Sequence, residues 1–303
     1  MRRITRNNTR HAEARRVPVP PALTVALGET FVMEAGTCGR PVLNTPDECL
    51  ADGFMAREET GPVYIEGVRA GDMVRLDILD IKVVGHASGM VYADRYDFCE
   101  VRGDAAICRG GLPAPVEPMI GVICFTPEKP EDVADDLGDC GGNMDYKDIA
   151  PPNSVCLTAR HDGGLLYVGD LHACQGWGEW LGVGLECAGD VTLRATLEKT
   201  YVSPRPVVLK KDAYACIAMR ETYAEAVRVA LADAAAILSR LTGASHDDAY
   251  NYCRLVGNGM NGQMWHIPFP DLYSKENPVT GMPVTVGMEI PTGMLKKHGL
   301  INI

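Results

Sequence analysis

The sequence predicts an α+β protein that is mainly β, with a sandwich- or barrel-like body followed by an α/β C-terminal region. Three observations carry that prediction. Short apolar runs broken by Gly and Pro recur from Pro18 to about Tyr201. A helical apolar period begins only after Pro206, and the chain closes on one more alternating run. With 303 residues and 46% apolar composition, the chain can bury one large core or two modest ones.

Taken in order, residues 1–16 read as a flexible basic N-terminal arm. Arg2, Arg3, Arg6, Arg10, Arg15 and Arg16 supply its charge, while Glu13 and the lack of serine argue against a transit peptide. Residues 17–205 form the β-rich body, opening with "ALTVAL", "FVMEAG" and "PVYIEGV". In "MVRLDILDIKVV", Val74, Leu76 and Ile78 alternate with polar residues, then Leu79, Ile81 and Val83 resume one residue out of phase. That slip predicts a β-bulge near Ile78. In "DVTLRATLEK", Val191, Leu193, Ala195 and Leu197 share one face and Thr192, Arg194, Thr196 and Glu198 the other, so one face is wet.

Residues 206–303 are expected to complete the same catalytic unit. Thr222 and Glu225 have capping-box spacing, and Tyr223, Val227, Ala230, Leu231, Ala234, Leu238 and Leu241 recur at helical intervals up to Gly243. Ser245 and Asp248 start a second helix through "DDAYNYCRLV" to Gly257 and Gly259, giving an antiparallel helix pair. A Gly/Asn/Pro-rich stretch then leads to the strand "VTVGMEI". No internal repeat or low-complexity tract is present.

Composition narrows the partners. A formal net charge of -11, from 29 basic and 40 acidic side chains, repels phosphate backbones and anionic lipid, so neither nucleic acid nor membrane is expected. No apolar run approaches the ~20 residues of a membrane span. The 11 cysteines are scattered from Cys38 to Cys253 without a C-x-x-C pair. They read as reduced, mostly buried thiols of a cytoplasmic protein and not as a four-cysteine zinc site. No Walker loop or G-x-G-x-x-G element is present, which argues against nucleotide use.

Chemistry-bearing residues concentrate in two places. In "GDLHACQGWGEW" (169–180), Asp170 and His172 project to one side of an extended segment, and the glycines of the following loop can return Glu179 to them. An oxygen and an imidazole nitrogen converging in this way suit a divalent metal of zinc type; a structural Asp–His hydrogen bond at a strand end is the competing reading. In "GGNMDYKDI" (141–149), paired glycines deliver Asn143 and Asp145 in a turn. Asn can donate to a developing oxyanion and Asp can ligate a metal or take a proton, against the alternative of an ordinary polar turn. Cys140 is a weaker candidate nucleophile. His161 reads as a solvated turn residue, and His86 and His266 are open as further ligands.

Four segments, "GPVYIEGVRAGDMVRLDILDI" (61–81), "EPMIGVI" (117–123), "GGNMDYKDI" and "GDLHACQGWGE", resemble the acetamidase/formamidase family and stand in that family's order. The resemblance covers residues 17–200 well and the region after 206 loosely. It implies hydrolysis of small linear amides such as formamide or acetamide, with some relatives acting on a lactam and carrying zinc, in a β-rich fold that is usually dimeric. It places Asp145, Asp170, His172 and Glu179 at the polar centre, with Asn143 beside them. The scheme that follows gives the metal to Asp145, Asp170 and His172, makes Glu179 the general base and Asn143 the oxyanion donor, and puts Gln175, Trp177 and Gly142 on the substrate side. If Glu179 is a ligand, one of the aspartates becomes the base.

The sequence departs from the family at "GWGE", where relatives commonly read "GDGE". Trp177 then either packs in the core or forms a pocket wall favouring an amide larger or more apolar than formamide. Trp265 lies in "NGMNGQMWHIPFP", which does not match the family and reads as a lid or a dimer contact. The apolar "MWHIPFPDLY" segment predicts a homodimer or higher homo-oligomer. Two alternatives stand beside the zinc amidase: a metal-free amidase using Cys140, and a non-catalytic small-molecule-binding relative.

Overall fold

The computed structural model describes residues 1–36, 42–50, 58–92, 95–134, 137–264 and 284–301. Trp265, His266 and all but the first residue of "MWHIPFPDLY" lie outside the described residues. The framework is mainly β, with two long helices in the C-terminal region.

Two long strands, Met73–Tyr92 and Leu185–Leu197, pair antiparallel from Val74 opposite Leu197 to Gly89 opposite Leu185. The register shifts between Asp80–Thr192 and Ile78–Leu193, so Leu79 is the extra residue of a bulge, and its side chain is 43% exposed. This is the phase slip expected near Ile78: one more apolar residue is present than the alternation can bury. On the Leu185–Leu197 strand, Val191, Leu193 and Ala195 are buried while Arg194 faces out. There Arg194 Nη2 donates to Asp77 at 2.7 Å, joined by Arg75 Nε at 2.7 Å and Ser154 Oγ at 2.8 Å.

The other edge of Leu185–Leu197 is divided. Its Gly189–Arg194 part pairs with Thr30–Ala35, and its Leu185–Cys187 end pairs with Leu166–Cys174. Leu166–Cys174 pairs along its opposite edge with Met119–Phe125, and through Leu166–Gly169 with Glu58–Glu66. Strands therefore branch and cross at the Asp170–His172 segment, which buries its side chains on both faces. The core of this region includes Phe31, Ile65, Leu76, Ile120, Phe125, Val168 and Leu193.

Residues 1–16 are not a free arm. Arg2–Ile4 pairs parallel with Phe31–Met33, and Thr9–His11 pairs antiparallel with Glu58–Thr60. The basic side chains are drawn in by acidic partners: Arg3 Nη1 lies 2.9 Å from both Glu34 and Asp190, and Arg15, 1% exposed, meets the buried Glu59 at 2.8 Å. Charge alone suggested a solvated tail; acidic side chains distant in sequence make it part of the sheet.

In the C-terminal region, α1 (Tyr223–Thr242) starts at Thr222, whose Oγ1 accepts from the Glu225 N–H at 3.3 Å, a cap that contributes about 1 kcal/mol. It ends at Gly243, left-handed at φ 74°. A short turn leads to α2 (His246–Val256), capped by Ser245 accepting from Asp248 at 3.1 Å. Ala230, Ala234, Ile237 and Leu238 of α1 pack on the Ala213–Arg220 and Val284–Pro291 strands in a second core with Tyr214, Cys216 and Ile290. Asp233, on the buried face of α1, is satisfied by Arg205, whose Nη2 lies 2.6 Å from Oδ1. Val284–Pro291 is nearly all buried, where a one-sided alternation was expected, because α1 covers the face that would otherwise be wet.

Candidate active site and metal centre

The branching of strands at Asp170–His172 gathers the ionisable groups. His172 stands directly across the ladder from Glu186 on one side and from Met119 on the other. Gly121, next but one after Met119, has a carbonyl that accepts from both the Met144 N–H (3.0 Å) and the Asp145 N–H (3.2 Å). The turn after Gly141–Asn143 is thereby tied to the strand beside Asp170. Gly141 permits it: its φ is 93°, and a Cβ there would collide with the Ile123 carbonyl.

Asp145, Asp170, His172, Glu179 and Glu186 are all buried, His172 and Asp145 completely. His172 Nε2 lies 3.0 Å from Glu186 Oε1, 3.6 Å from Asp170 Oδ1 and 3.9 Å from Asp145 Oδ1. Ligand atoms of Asp145, Asp170 and His172 lie within 4.8 Å of one another, and so do those of His172, Glu179 and Glu186. His172 belongs to both sets. Two further glycines make room: Gly121 backs onto Asp145 and Asp170, and Gly184 onto the His172 ring.

Among the described residues, four non-glycine residues have left-handed backbones, and three of them are Asp145 (φ 44°), Asp170 (φ 52°) and Glu179 (φ 40°). A side chain in that region is uncommon and costs on the order of 1 kcal/mol or more. Three site carboxylates are held in a conformation their local propensity opposes.

Gln175 sets the orientation of His172. Its Nε2 donates to the Asp145 carbonyl at 2.6 Å, and its Oε1 faces His172 Nδ1 at 2.7 Å. A backbone carbonyl only accepts, so the amide has one possible orientation, and Oε1 can only accept from Nδ1–H. Nε2 is thereby the nitrogen presented to the carboxylates. Gln175, expected on the substrate side, instead holds the imidazole, as partners of ligating histidines do. Asn143 Nδ2 donates to Asp145 Oδ2 at 2.8 Å.

The electrostatics are those of a set lacking positive charge. Burial, with Asp170 next, pushes the Asp145 carboxyl up to about 8. Burial also raises Glu179 and Glu186, with Asp145 adding to the effect at Glu179. Burial alone would lower His172, but the adjoining Glu186 and Asp170 outweigh it and raise the imidazole well above its ordinary value. Buried atoms Asp145 Oδ1, Glu186 Oε2 and His172 Nε2 have no hydrogen-bond partner among the described residues. Four carboxylates, one imidazole and orphaned ligand-type atoms fit a divalent cation. A tetrahedral site with bonds of about 2.1 Å separates its ligand atoms by about 3.4 Å, within the 3.0–3.9 Å found around Nε2.

Trp177 is half-buried with its ring edge-on to Tyr146, centroids 5.0 Å apart. Gly142 lies in the Gly141–Asn143 strand opposite Ile123. Cys140 is buried, and burial pushes its thiol up to about 11, opposite to what a nucleophile needs. His86 accepts the Val101 N–H at 3.1 Å, and His161, which was expected to be solvated, bonds the Pro127 carbonyl at 2.7 Å. Sequence reasoning missed Glu186. Its signal was a lone carboxylate in the apolar run "LGVGLECAG", unusable without the register that sets it opposite His172.

Residues 137–234 match the model of the Acetamidase/Formamidase family, a span that holds every residue of the cluster. The chain is similar to an acetamidase from Bacillus halodurans at TM-score 0.81 and 27% identity, covering 98% of this chain and 99% of that one. It is similar to a predicted acetamidase/formamidase from the thermophile Thermoanaerobacter tengcongensis at TM-score 0.82 and 25% identity, with coverage of 99% and 98%. A gamma lactamase from Delftia acidovorans shares the fold at TM-score 0.53 and 17% identity, with coverage of 94% and 88%. No curated protein matches the chain. The class so defined is that of amide hydrolases acting on carbon–nitrogen bonds other than peptide bonds. Within that class, residues 137–234 carry the match to the Acetamidase/Formamidase family, and the likeness to the two acetamidase-type structures runs over nearly the whole chain.

Proposed function

We propose that the protein hydrolyses a small linear amide to carboxylate and ammonia, or opens a lactam, with a divalent ion of zinc type as resident cofactor. The observation that carries this reading is the sharing of His172 between two buried ligand sets, its free nitrogen aimed by Gln175. When bound, such an ion supplies a Lewis acid for the amide carbonyl and acidifies a water towards a pKa of ~7.

The chain's own residues divide the remaining work. Asp145, Asp170 and His172 hold the ion. Glu179, whose carboxyl burial raises above its ordinary value, takes the water proton and returns it to the departing amine. Asn143 commits one amide hydrogen to Asp145 and directs the other to the developing oxyanion. Glu186, beside Nε2, balances charge on the imidazole. Trp177 limits the acyl end of the substrate. No comparable geometry supports Cys140.

The test is ammonia release from formamide, acetamide and propionamide, and ring opening of a lactam, on protein whose metal content has been measured. His172→Ala should fold, lose the metal and lose turnover. Full occupancy in that variant would remove His172 from the ligands, and an inactive metal-loaded wild type would defeat the reading. Assembly as a homodimer or higher oligomer is part of the proposal, on the apolar "MWHIPFPDLY" segment; a monomer by light scattering at micromolar concentration would remove it. A cytoplasmic setting is proposed on the cysteines, nine of which, among the described residues, stand outside any disulfide. No helix among the described residues is long and apolar enough to cross a membrane.

A further inference from the structure

The Asn261–Gln263 segment, part of the stretch without a family match, is bonded to the backbone beside two site carboxylates. The Gln263 N–H donates to the carbonyl of Met144, the residue before Asp145, at 3.3 Å. The Gly178 N–H, one residue before Glu179, donates to the Asn261 carbonyl at 3.0 Å. The Thr285 N–H closes the other side on the Gln263 carbonyl at 3.0 Å. The segment therefore spans from the Glu179 loop to the Asp145 turn.

Its side chains are polar, and that of Gln263 leaves its hydrogen-bonding capacity unused among the described residues. Gln263 is completely buried, and neither Nε2 nor Oε1 has a hydrogen-bond partner among the described residues. The same is true of Thr285 Oγ1 and Asn261 Oδ1. Folding gains nothing from such a group, since a buried amide without partners destabilises the native state and an apolar side chain of similar shape does not. A polar side chain kept there, on a segment bonded to the backbone next to Asp145 and Glu179, is accounted for by a ligand that completes its bonds.

A primary amide side chain offers N–H and C=O side by side on one planar edge. Its complement is a ligand edge with C=O and N–H on the same side. Primary carboxamides have that edge, and so do lactams, whose ring forces N–H and C=O to the same side. Esters and N,N-dialkyl amides lack it. We propose that Gln263 is the substrate-recognition residue that reads this edge through two reciprocal hydrogen bonds, making primary carboxamides and lactams one substrate class. The proposal rests on the amide-hydrolase reading above and adds to it a selecting group outside the carboxylate cluster.

The test compares the metal-loaded wild type with Gln263→Met, which keeps the length of the side chain without its donors and acceptor. Substrates are propionamide and its ester counterpart methyl propionate, with metal content and thermal unfolding measured on the same samples. The variant should keep its metal, unfold no earlier than wild type, and lose about 10- to 100-fold in kcat/KM for the amide, mostly through KM, with a much smaller loss for the ester. Gln263→Asn, which withdraws the amide by one methylene, should also raise KM for the amide about 10-fold. A wild-type amide-to-ester ratio in both variants overturns the role of Gln263 and leaves the amidase reading intact. An earlier unfolding of Gln263→Met with unchanged KM assigns the residue to the fold and equally overturns it. A wild type that hydrolyses neither substrate overturns the amidase reading, and this proposal with it.

Discussion

Gly121→Ala is a one-carbon perturbation aimed at the proposed metal set. Gly121 is not in the left-handed region, so alanine meets no backbone penalty there, and the effect is steric. An added Cβ would lie 2.6 Å from Asp145 Oδ1 and 2.7 Å from both the carbonyl and Oδ2 of Asp170. Ordinary contact begins at 3.4 Å, so the two carboxylates must retreat by about 0.7–0.8 Å. Overpacking of this kind costs about 1–3 kcal/mol, a fall of a few degrees in Tm for a chain of this size. The functional loss should be larger, because a displacement approaching 1 Å is worth about 100-fold in rate. Zinc affinity by competition with a chelator and ammonia release from propionamide should both fall by about that factor, while the far-ultraviolet spectrum stays that of wild type. Gly176→Ala is the control: it adjoins Gln175, yet a Cβ there meets nothing within 4 Å, and it should be neutral. Zinc affinity and turnover of Gly121→Ala within threefold of wild type would refute the steric coupling of that strand to the site.

Three further outcomes are expected. Gln175→Met should weaken zinc binding by about 10- to 100-fold, as loss of a ligand's orienting partner does, and unchanged affinity in a chelator titration would show that the imidazole needs no such partner. Trp177→Asp should shift relative kcat/KM towards formamide by about 10- to 100-fold, whereas an equal fall on every amide would identify the indole as packing against Tyr146. At Asp77, burial pushes the carboxyl up, but hydrogen bonds from Arg194, Ser154 and Arg75 outweigh it and hold it below its ordinary 3.8. Its contribution is therefore full above that value and is lost as pH falls through the lowered one. Asp77→Asn should lose about 1–2 kcal/mol at pH 7, allowing for the half-exposed arginines, and less at pH 3; urea midpoints that differ equally at both pH values would contradict this.

Local pattern made some of this legible from residues alone. The bulge at Leu79 follows from counting apolar positions, α1 from capping and period, and the meeting of Asp170 with His172 from the two-residue repeat of a strand. What failed to show depends on partners distant in sequence. Arg15 reads as solvated until Glu59 is placed beside it, Glu186 reads as an intruder in an apolar run until register sets it opposite His172, and Gln175 reads as a loop residue until its amide is seen between Nδ1 and the Asp145 carbonyl. The four motifs of the acetamidase/formamidase type pointed to the buried cluster; only the folded chain shows which atoms touch.

The left-handed backbones of Asp145, Asp170 and Glu179 bear on how this protein would respond to a screen that is blind to chemistry. At each position glycine relieves the unfavourable dihedrals, and asparagine tolerates them better than a carboxylate does; either also removes one like charge from a buried cluster. In a library sorted for heat resistance on the metal-free protein, with turnover ignored, substitutions to Gly and Asn should accumulate at these three positions ahead of the surface. The sorted sequences would then mark the proposed reaction centre by its depletion, and a map of that centre could be drawn without ever supplying a substrate.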